Sequence, residues 1–535
     1  MKIRNWTLLI TLSALASIFY FYFTPSYLHP AEDASILFNY ARNLKDTGVI
    51  SYYPGGPAVD GSTDFLFLLL ISGVLNLVSD AYTAALLISG VSTMLMIFFI
   101  FRLLDTKSLS LQYLALVLIF FSQQIWAAVL GYGTFLFAMV ISWAILAFWK
   151  GSLKTLAIVS FIAVLCRPDA LITVLPLLMY LLYKKRERLP KNIGIVLLNF
   201  ILPVIGYGIF RWWYFGSVLP LSFDINTAGN DKIWNLFFIN SIHHVKGYAL
   251  YNIYPGLIGL FIYFAKSKFK IKSEYYVLIF STVIFPMLAY LTIRENLDFA
   301  YRYMMIPYLG IVITMCLLIR NYKSIIISIF GLFLLLQIGY TSVNQGSKSL
   351  NHYYNNIYDL SEELSQYPDL KLATSEAGII TWKSKLKTMD MWGLNTPSMT
   401  NHLITKEDLH EWNPDIIYIH PFKVDDIYFN EDYISNKKSW ISMTQNVTNT
   451  LYEDKYLTYL VPYDTRAYKE VELTNVGLFK SVLKFISENK KSTTPPVYRQ
   501  ELFGIHPKAK NKAELIQIIE KYGGKQFTIP PKDYE

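Results

Sequence analysis

The feature that most constrains this chain is a series of apolar runs separated by turns whose charge alternates between strongly basic and nearly neutral. The runs are 6–27, 82–101, 108–128, 133–149, 153–166, 170–183, 192–210, 248–265, 275–293, 303–319 and 324–340. A full crossing of a bilayer needs roughly 20 apolar residues, so 153–166 and 170–183 are short and are expected to be tilted or half-buried. Only 16% of the residues are charged, against about one-quarter in soluble domains, so a large part of the chain belongs in lipid. The net charge of +9 does not mark a nucleic-acid binder. Its lysines and arginines sit between apolar runs, as topology determinants do.

The same charges decide a further run, 64–79. If it lies at the outer interface and the N-terminus is inside, every short inside turn is basic: Lys2 and Arg4; Arg102 and Lys107; Lys150 and Lys154; Lys184, Lys185, Arg186, Arg188 and Lys191; Lys266, Lys268, Lys270 and Lys272; Arg320 and Lys323. Letting 64–79 cross would put the KKRER cluster outside, against the positive-inside rule. The expected architecture is a polytopic α-helical membrane protein of eleven spans with juxtamembrane helices, and a soluble α/β domain over 345–535. The expected domains are 1–344, with a first outer loop at 28–81, and 345–535, the latter a possible carbohydrate-binding module. The expected location is the plasma (inner) membrane, N-terminus cytoplasmic and C-terminal domain outside. The stretch Ala14-Leu15-Ala16 lies within the first apolar run, so that run reads as an anchor rather than a cleaved signal. The two cysteines, Cys166 and Cys316, fall in expected spans, leaving the exported tail without a disulfide.

In the tail, 370–380 reads as a strand followed by a glycine turn, 407–412 as helix, 414–422 as a buried strand stopped by Pro421, and 473–488 and 511–522 as helices. The sequon at Asn446 carries little weight, and residues 490–510 read as a loose surface segment.

Candidate chemistry gathers in the outer turns. Glu32 and Asp33 stand before a run in which Ile36, Leu37, Tyr40, Ala41 and Leu44 recur at helical spacing. Asp33 suits an N-cap, but a cap needs one carboxylate, which leaves Glu32 surplus. Acids that an interface can bury are candidates for base catalysis. Arg42 and Lys45 share that helix and are expected to face lipid headgroups. A rigid Pro54-Gly55-Gly56-Pro57 turn leads to a second acidic cluster, Asp60 and Asp64. Arg167 and Asp169 flank Pro168 between two short spans, where charge is costly and commonly faces a partner or a cavity. Arg211 opens the largest outer loop, and Arg294, Tyr301 and Arg302 occupy another outer turn. Guanidinium binds phosphate bidentately, so arginines on the face that carries Glu32 and Asp33 suit an anionic, lipid-attached substrate. No residue spacing specifies a metal or another cofactor, and His243-His244 reads as surface polarity.

The first outer loop, EDASILFNYARNLKDTGVISYYPGGPAVDGSTDFLFLLL, resembles that of GT-C fold glycosyltransferases, in particular the branch containing the cell-wall arabinofuranosyltransferases. RPDA at 167–170, RWWYFGSVLP at 211–220, YRYMMIP at 301–307, LATSEAGIITW with MDMWGLN over 372–395, and NPDIIYIH at 413–420 follow the same pattern in order. Two segments depart from it: Gly131-Tyr132-Gly133-Thr134 lacks the branch's acid, and Pro220-Leu221-Ser222-Phe223 replaces Pro-Asn-Thr-Phe. The resemblance implies inverting transfer of a sugar from a polyprenyl-phosphate donor to an extracytoplasmic glycan or lipid-linked acceptor, with Asp33 as base. A membrane transporter or flippase of lipid-linked sugars is the alternative; against it stand charges at the outer rim rather than at the midplane, and no internal repeat.

Overall fold

The computed structural model describes residues 29–105, 109–120, 122, 124–221, 272–290, 299–319, 356–400, 402–420, 437–462 and 500–529. Contacts divide the chain into two compact units. One comprises Met1–Tyr27, Thr63–Leu219 and Asn230–Gly346; the other comprises Leu28–Ser62, Pro220–Gly229 and Ser347–Glu535. The loop expected over 28–81 is thus divided at Ser62: its helix α1 (Glu32–Thr47) groups with the C-terminal unit.

The first unit is built from apolar helices: α2 (Phe65–Val74), α3 (Ala81–Leu104), α4 (Leu109–Phe120), α5 (Ile125–Val129), α6 (Thr134–Trp149), α7 (Leu153–Cys166), α8 (Ala170–Lys184), α9 (Arg186–Phe215), α10 (Ser273–Tyr290) and α11 (Met305–Ile319). Among the described residues α3, α9, α10 and the segment Tyr301–Leu318 are long and apolar enough to cross a membrane, and α2, α6, α7 and α8 are shorter apolar helices. The protein is a polytopic membrane protein. Helix α3 packs on α6, α6 on α7, and α7 on α8. The ten residues of α2 extend only about 15 Å at 1.5 Å per residue, half a bilayer core. The run at 108–128 holds two helices, one ending at Phe120 and the next beginning at Ile125, with the polar residues Ser122 and Gln124 between them. The runs 6–27, 248–265 and 324–340 lie outside the described residues.

Two helices widen into a π-turn just ahead of a proline: Leu197–Ile201 before Pro203 in α9, and Phe280–Ile284 before Pro286 in α10. A proline ring collides with the carbonyl four residues back and leaves it without a donor, and a wider turn relieves both effects. Helix α9 keeps most of its apolar surface uncovered, including Trp212 and Trp213 near its end, as a lipid-facing helix with interfacial aromatics does.

The second unit holds a six-stranded sheet in the order β2-β1-β3-β5-β4-β6. In chain order its elements are α12 (Asn356–Leu364), β1 (Lys371–Thr374), α13 (Ile379–Ser384), β2 (Lys387–Asp390), α14 (Lys406–Trp412), β3 (Ile416–Ile419), α15 (Lys437–Glu453), β4 (Leu457–Pro462), β5 (Gln500–Ile505), α16 (Lys512–Lys521) and β6 (Lys525–Gln526). Strand β1 runs parallel to β2 and β3, while β5 is antiparallel to both β3 and β4. Alternate residues feed two cores. Leu372, Ile416, Tyr418, Phe503 and Ile505 pack with α12 and α16; Ala373, Ile417, Ile419 and Leu502 pack with α14 and α15. This is the period-2 pattern of a sheet covered on both faces. The expected elements at 370–380, 407–412, 414–422 and 511–522 are present, and 500–505, read from sequence as part of a loose segment, is strand β5 because it pairs on both sides. The expected helix at 473–488 lies outside the described residues.

Candidate active site

In the membrane unit, four charged groups expected from sequence come together. Helix α7 ends at Cys166, and Pro168 has no N–H with which to continue it. Arg167 folds back onto Asp169, its Nε and Nη2 each donating at 3.0 Å to the two carboxylate oxygens. The Tyr290 hydroxyl donates to Oδ2 of the same Asp169 at 2.8 Å. Nη1 of Arg167 lies 3.8 Å from Oδ1 of Asp64, the residue that precedes α2. The Arg167 guanidinium stands 4.9 Å from the Tyr303 ring centre, and that of Arg302 stands 5.1 Å from the same ring and 4.1 Å from Tyr132. Cations over aromatic faces gain about 0.5–2 kcal/mol each and are held in orientation.

Glycine makes room for this arrangement. A Cβ on Gly133 would meet Phe67 Cδ1 at 2.9 Å and Asp64 Oδ2 at 3.3 Å, so the Gly131-Tyr132-Gly133-Thr134 turn is part of the cluster's wall. Tyr301, immediately before Arg302, has φ +53°, a left-handed conformation that a bulky side chain adopts at a cost of about 1–3 kcal/mol. Burial raises the Asp64 carboxyl above its usual range, and the charges of Arg167 and Arg302 pull it part of the way back. Two carboxylates and two guanidiniums sum to zero when all are ionised. An incoming phosphate therefore gains net attraction when Asp64, the carboxyl already raised, takes up a proton.

Arg211 is buried and bonds within its own turn. Its Nε donates to the Val218 carbonyl at 2.7 Å and its Nη1 to the Tyr207 hydroxyl at 3.2 Å, closing the turn that follows α9 at Gly216. Arg294 lies outside the described residues.

Glu32, Asp33, Arg42 and Asp60 belong to the other unit. Helix α1 begins two residues earlier than an N-cap at Asp33 would place it. Ala31 occupies the N-cap position, no side chain caps the helix, and Glu32 and Asp33 both fall in the first turn, where the helix dipole favours negative charge. The N-cap reading of Asp33 is thereby corrected. Asp33 is partly exposed. Glu32 Oε1 accepts the backbone N–H groups of Gly378 at 2.8 Å and Ile379 at 3.0 Å, at the start of α13. Arg42, expected to face headgroups, donates instead to the Trp382 carbonyl and to Asn39 Oδ1 within the unit. Burial lowers it to about 10.

The remainder of the loop is tied just as closely. Pro54 and Gly55 (φ +75°) form the centre of a turn closed by Gly56 N–H to the Tyr53 carbonyl at 3.0 Å. Asp60 is buried and its Oδ1 accepts the Ser62 N–H at 3.0 Å. Tyr40 donates to Asn395 Oδ1 at 2.8 Å and accepts the Gly61 N–H at 3.1 Å. Asn395 in turn donates to Asp390, whose buried carboxyl is pushed up to about 6. Sequence reasoning passed over Tyr290, Tyr303, Asn39, Asn43 and Asp390. A signal existed for the two asparagines, because three and seven residues after Ile36 they fall on the helix face that carries the apolar repeat, and both are buried. Among the described residues no three His, Cys, Asp or Glu side chains converge as metal ligands.

Comparisons with known proteins bear on the fold. Residues 351–471 match the model of a domain of unknown function, DUF8728. No curated protein matches the sequence. Among solved structures, ArnT from Cupriavidus metallidurans bound to undecaprenyl phosphate aligns with a TM-score of 0.51 at 11% identity, covering 78% of this chain and 94% of that one. The same protein in the apo state aligns with a TM-score of 0.51 at 11% identity over 79% of this chain and 94% of that one. Arabinofuranosyltransferase AftD from Mycobacteria covers 96% of this chain and 40% of its own at a TM-score of 0.48 and 12% identity, too loose a match to carry weight. At identities this low the likeness is one of fold, and the fold is the GT-C type that the sequence resemblance led us to expect.

Proposed function

We propose that this protein is an integral membrane glycosyltransferase that moves a sugar from a polyprenyl-phosphate donor to a glycan or lipid-linked acceptor outside the cytoplasm. The observation that carries the reading is the half-buried Asp64–Arg167–Asp169–Arg302 cluster, a pre-oriented pair of guanidiniums in a protein whose fold matches one solved with undecaprenyl phosphate. Arg167 and Arg302 bind the donor phosphate and stabilise charge as it develops on the leaving oxygen. Asp169 and Tyr290 hold Arg167 in orientation; Tyr301 sets the turn that delivers Arg302.

Asp33 acts as the base. It takes the proton of the acceptor hydroxyl, the acceptor oxygen bonds to the anomeric carbon, and the carbon–oxygen bond to phosphate breaks with its electron pair passing to the phosphate. Single displacement inverts the anomeric carbon. Phosphate leaves readily, so no strong general acid is required. The N-terminus is cytoplasmic, and the C-terminal unit lies outside, where sugars arrive on lipid carriers.

The test uses the full chain in nanodiscs. Mass spectrometry of copurifying lipid should find polyprenyl phosphate or its glycoside, and added polyprenyl-phosphate sugar should be converted to polyprenyl phosphate. Asp33→Asn should melt at the wild-type temperature and show no turnover. Full turnover in that variant removes Asp33 from the mechanism, and failure of any polyprenyl-phosphate sugar to bind rejects the donor class.

A further inference from the structure

We infer that Glu32 is a positioning residue, through which the C-terminal unit holds helix α1, and with it Asp33, in place. The inference rests on the reading of Asp33 as base. A carboxylate that takes part in proton transfer or holds a sugar must present its oxygens to the substrate. Glu32 instead turns Oε1 onto two consecutive backbone N–H groups, those of Gly378 and Ile379 at 2.8 and 3.0 Å. A carboxylate accepting two such donors is held by charge-assisted bonds, roughly twice as strong as neutral ones. The contact is close as well as polar: a Cβ on Gly378 would fall 1.9 Å from the Glu32 carbonyl oxygen. Position 378 thus admits the backbone of α1 only because it carries no side chain.

The same short segment of the C-terminal unit is gripped at three further points. The Tyr52 hydroxyl donates to the Ala377 carbonyl at 2.7 Å and lies 3.0 Å from Thr381 Oγ1. Phe38 packs edge-on against Trp382, with 5.2 Å between ring centres, and Arg42 donates to the Trp382 carbonyl. Both arms of the loop therefore clasp residues 377–382, and Glu32 is the clasp adjacent in sequence to Asp33. Its pairing with Asp33 has a mechanical meaning: one acid anchors the first turn and its neighbour, one residue on, is presented in a fixed direction. Misplacing a reacting group by about 1 Å costs on the order of 100-fold in rate.

The experiment compares Glu32→Gln with Glu32→Ala in the full chain, following turnover and the amide exchange of Gly378 and Ile379. An amide oxygen still accepts both N–H groups, so Glu32→Gln should keep most of kcat and its pH profile. Glu32→Ala should lose about 100-fold in kcat, hold KM for the donor within about twofold because no donor contact is removed, and expose the two amides to faster exchange. Equal loss in both variants would make Glu32 a catalytic acid or ligand and overturn the inference; so would unchanged exchange in Glu32→Ala. The exchange readout does not depend on turnover, so an active Asp33→Asn would sink the base assignment while leaving the anchor separately testable.

Discussion

Replacing Gly378 by alanine probes the anchor from the opposite side. The backbone at Gly378 has φ −100° and ψ −88°, so alanine brings no left-handed strain; the cost is contact alone. The added Cβ would lie 1.9 Å from the Glu32 carbonyl oxygen, 2.7 Å from its carbonyl carbon and 3.0 Å from Oε1. Ordinary contact begins near 3.5 Å, so the start of α1 must retreat by about 1.5 Å. Overpacking of this kind costs about 1–3 kcal/mol, enough to lower the melting temperature by several degrees without unfolding the unit. The same displacement carries Asp33 with it, so kcat should fall about 100-fold. The two nearest clashes are with backbone atoms, so Glu32→Ala combined with Gly378→Ala should not recover activity. The assay is turnover of a polyprenyl-phosphate sugar in nanodiscs beside a thermal melt of the same preparation. A Gly378→Ala protein with wild-type kcat and an unchanged melt would refute the close approach and the reasoning built on it.

Two further perturbations address the charges. Asp64→Asn removes one negative charge beside Arg167 and Arg302, and should lower KM for the donor severalfold while leaving kcat largely intact; abolished kcat with unchanged KM would move the base role from Asp33 to Asp64. Asp390, raised to about 6 by burial, binds its proton more tightly folded than unfolded. Its contribution is therefore most favourable below about pH 4 and is lost as pH rises to about 6. Asp390→Asn lacks that titration, so the difference in melting temperature between wild type and variant should be larger at pH 4.5 than at pH 7.5, and a difference constant with pH would dismiss the shift.

Much of the membrane unit was legible in the chain because lipid imposes a simple rule. Backbone polar groups must be satisfied locally, so apolar length and flanking charge nearly suffice to mark helices. Residues 82–101, 133–149 and 303–319 became helices on that ground, and the run 64–79 holds the ten-residue helix α2. The alternating strands of the C-terminal unit, at 371–374 and 416–419, were legible by their period. The cluster of Asp64, Arg167, Asp169 and Arg302 was half legible: costly charges at membrane depth announce themselves, but which of them meet does not follow from spacing. Arg211 bears the same signal and closes a local turn instead.

The first outer loop marks where sequence reading stops. By itself the sequence determined that this stretch is helical, acidic at its start and closed by a rigid proline–glycine turn, because those properties depend on residues a few positions apart. Only the tertiary structure decided that the loop's first part belongs to the C-terminal unit, that Arg42 is turned inward, and that Glu32 grips Gly378 and Ile379. Those contacts join residues more than 300 positions apart. They arise from burial and from backbone donors at the start of α13, neither of which is written in the sequence around residue 32.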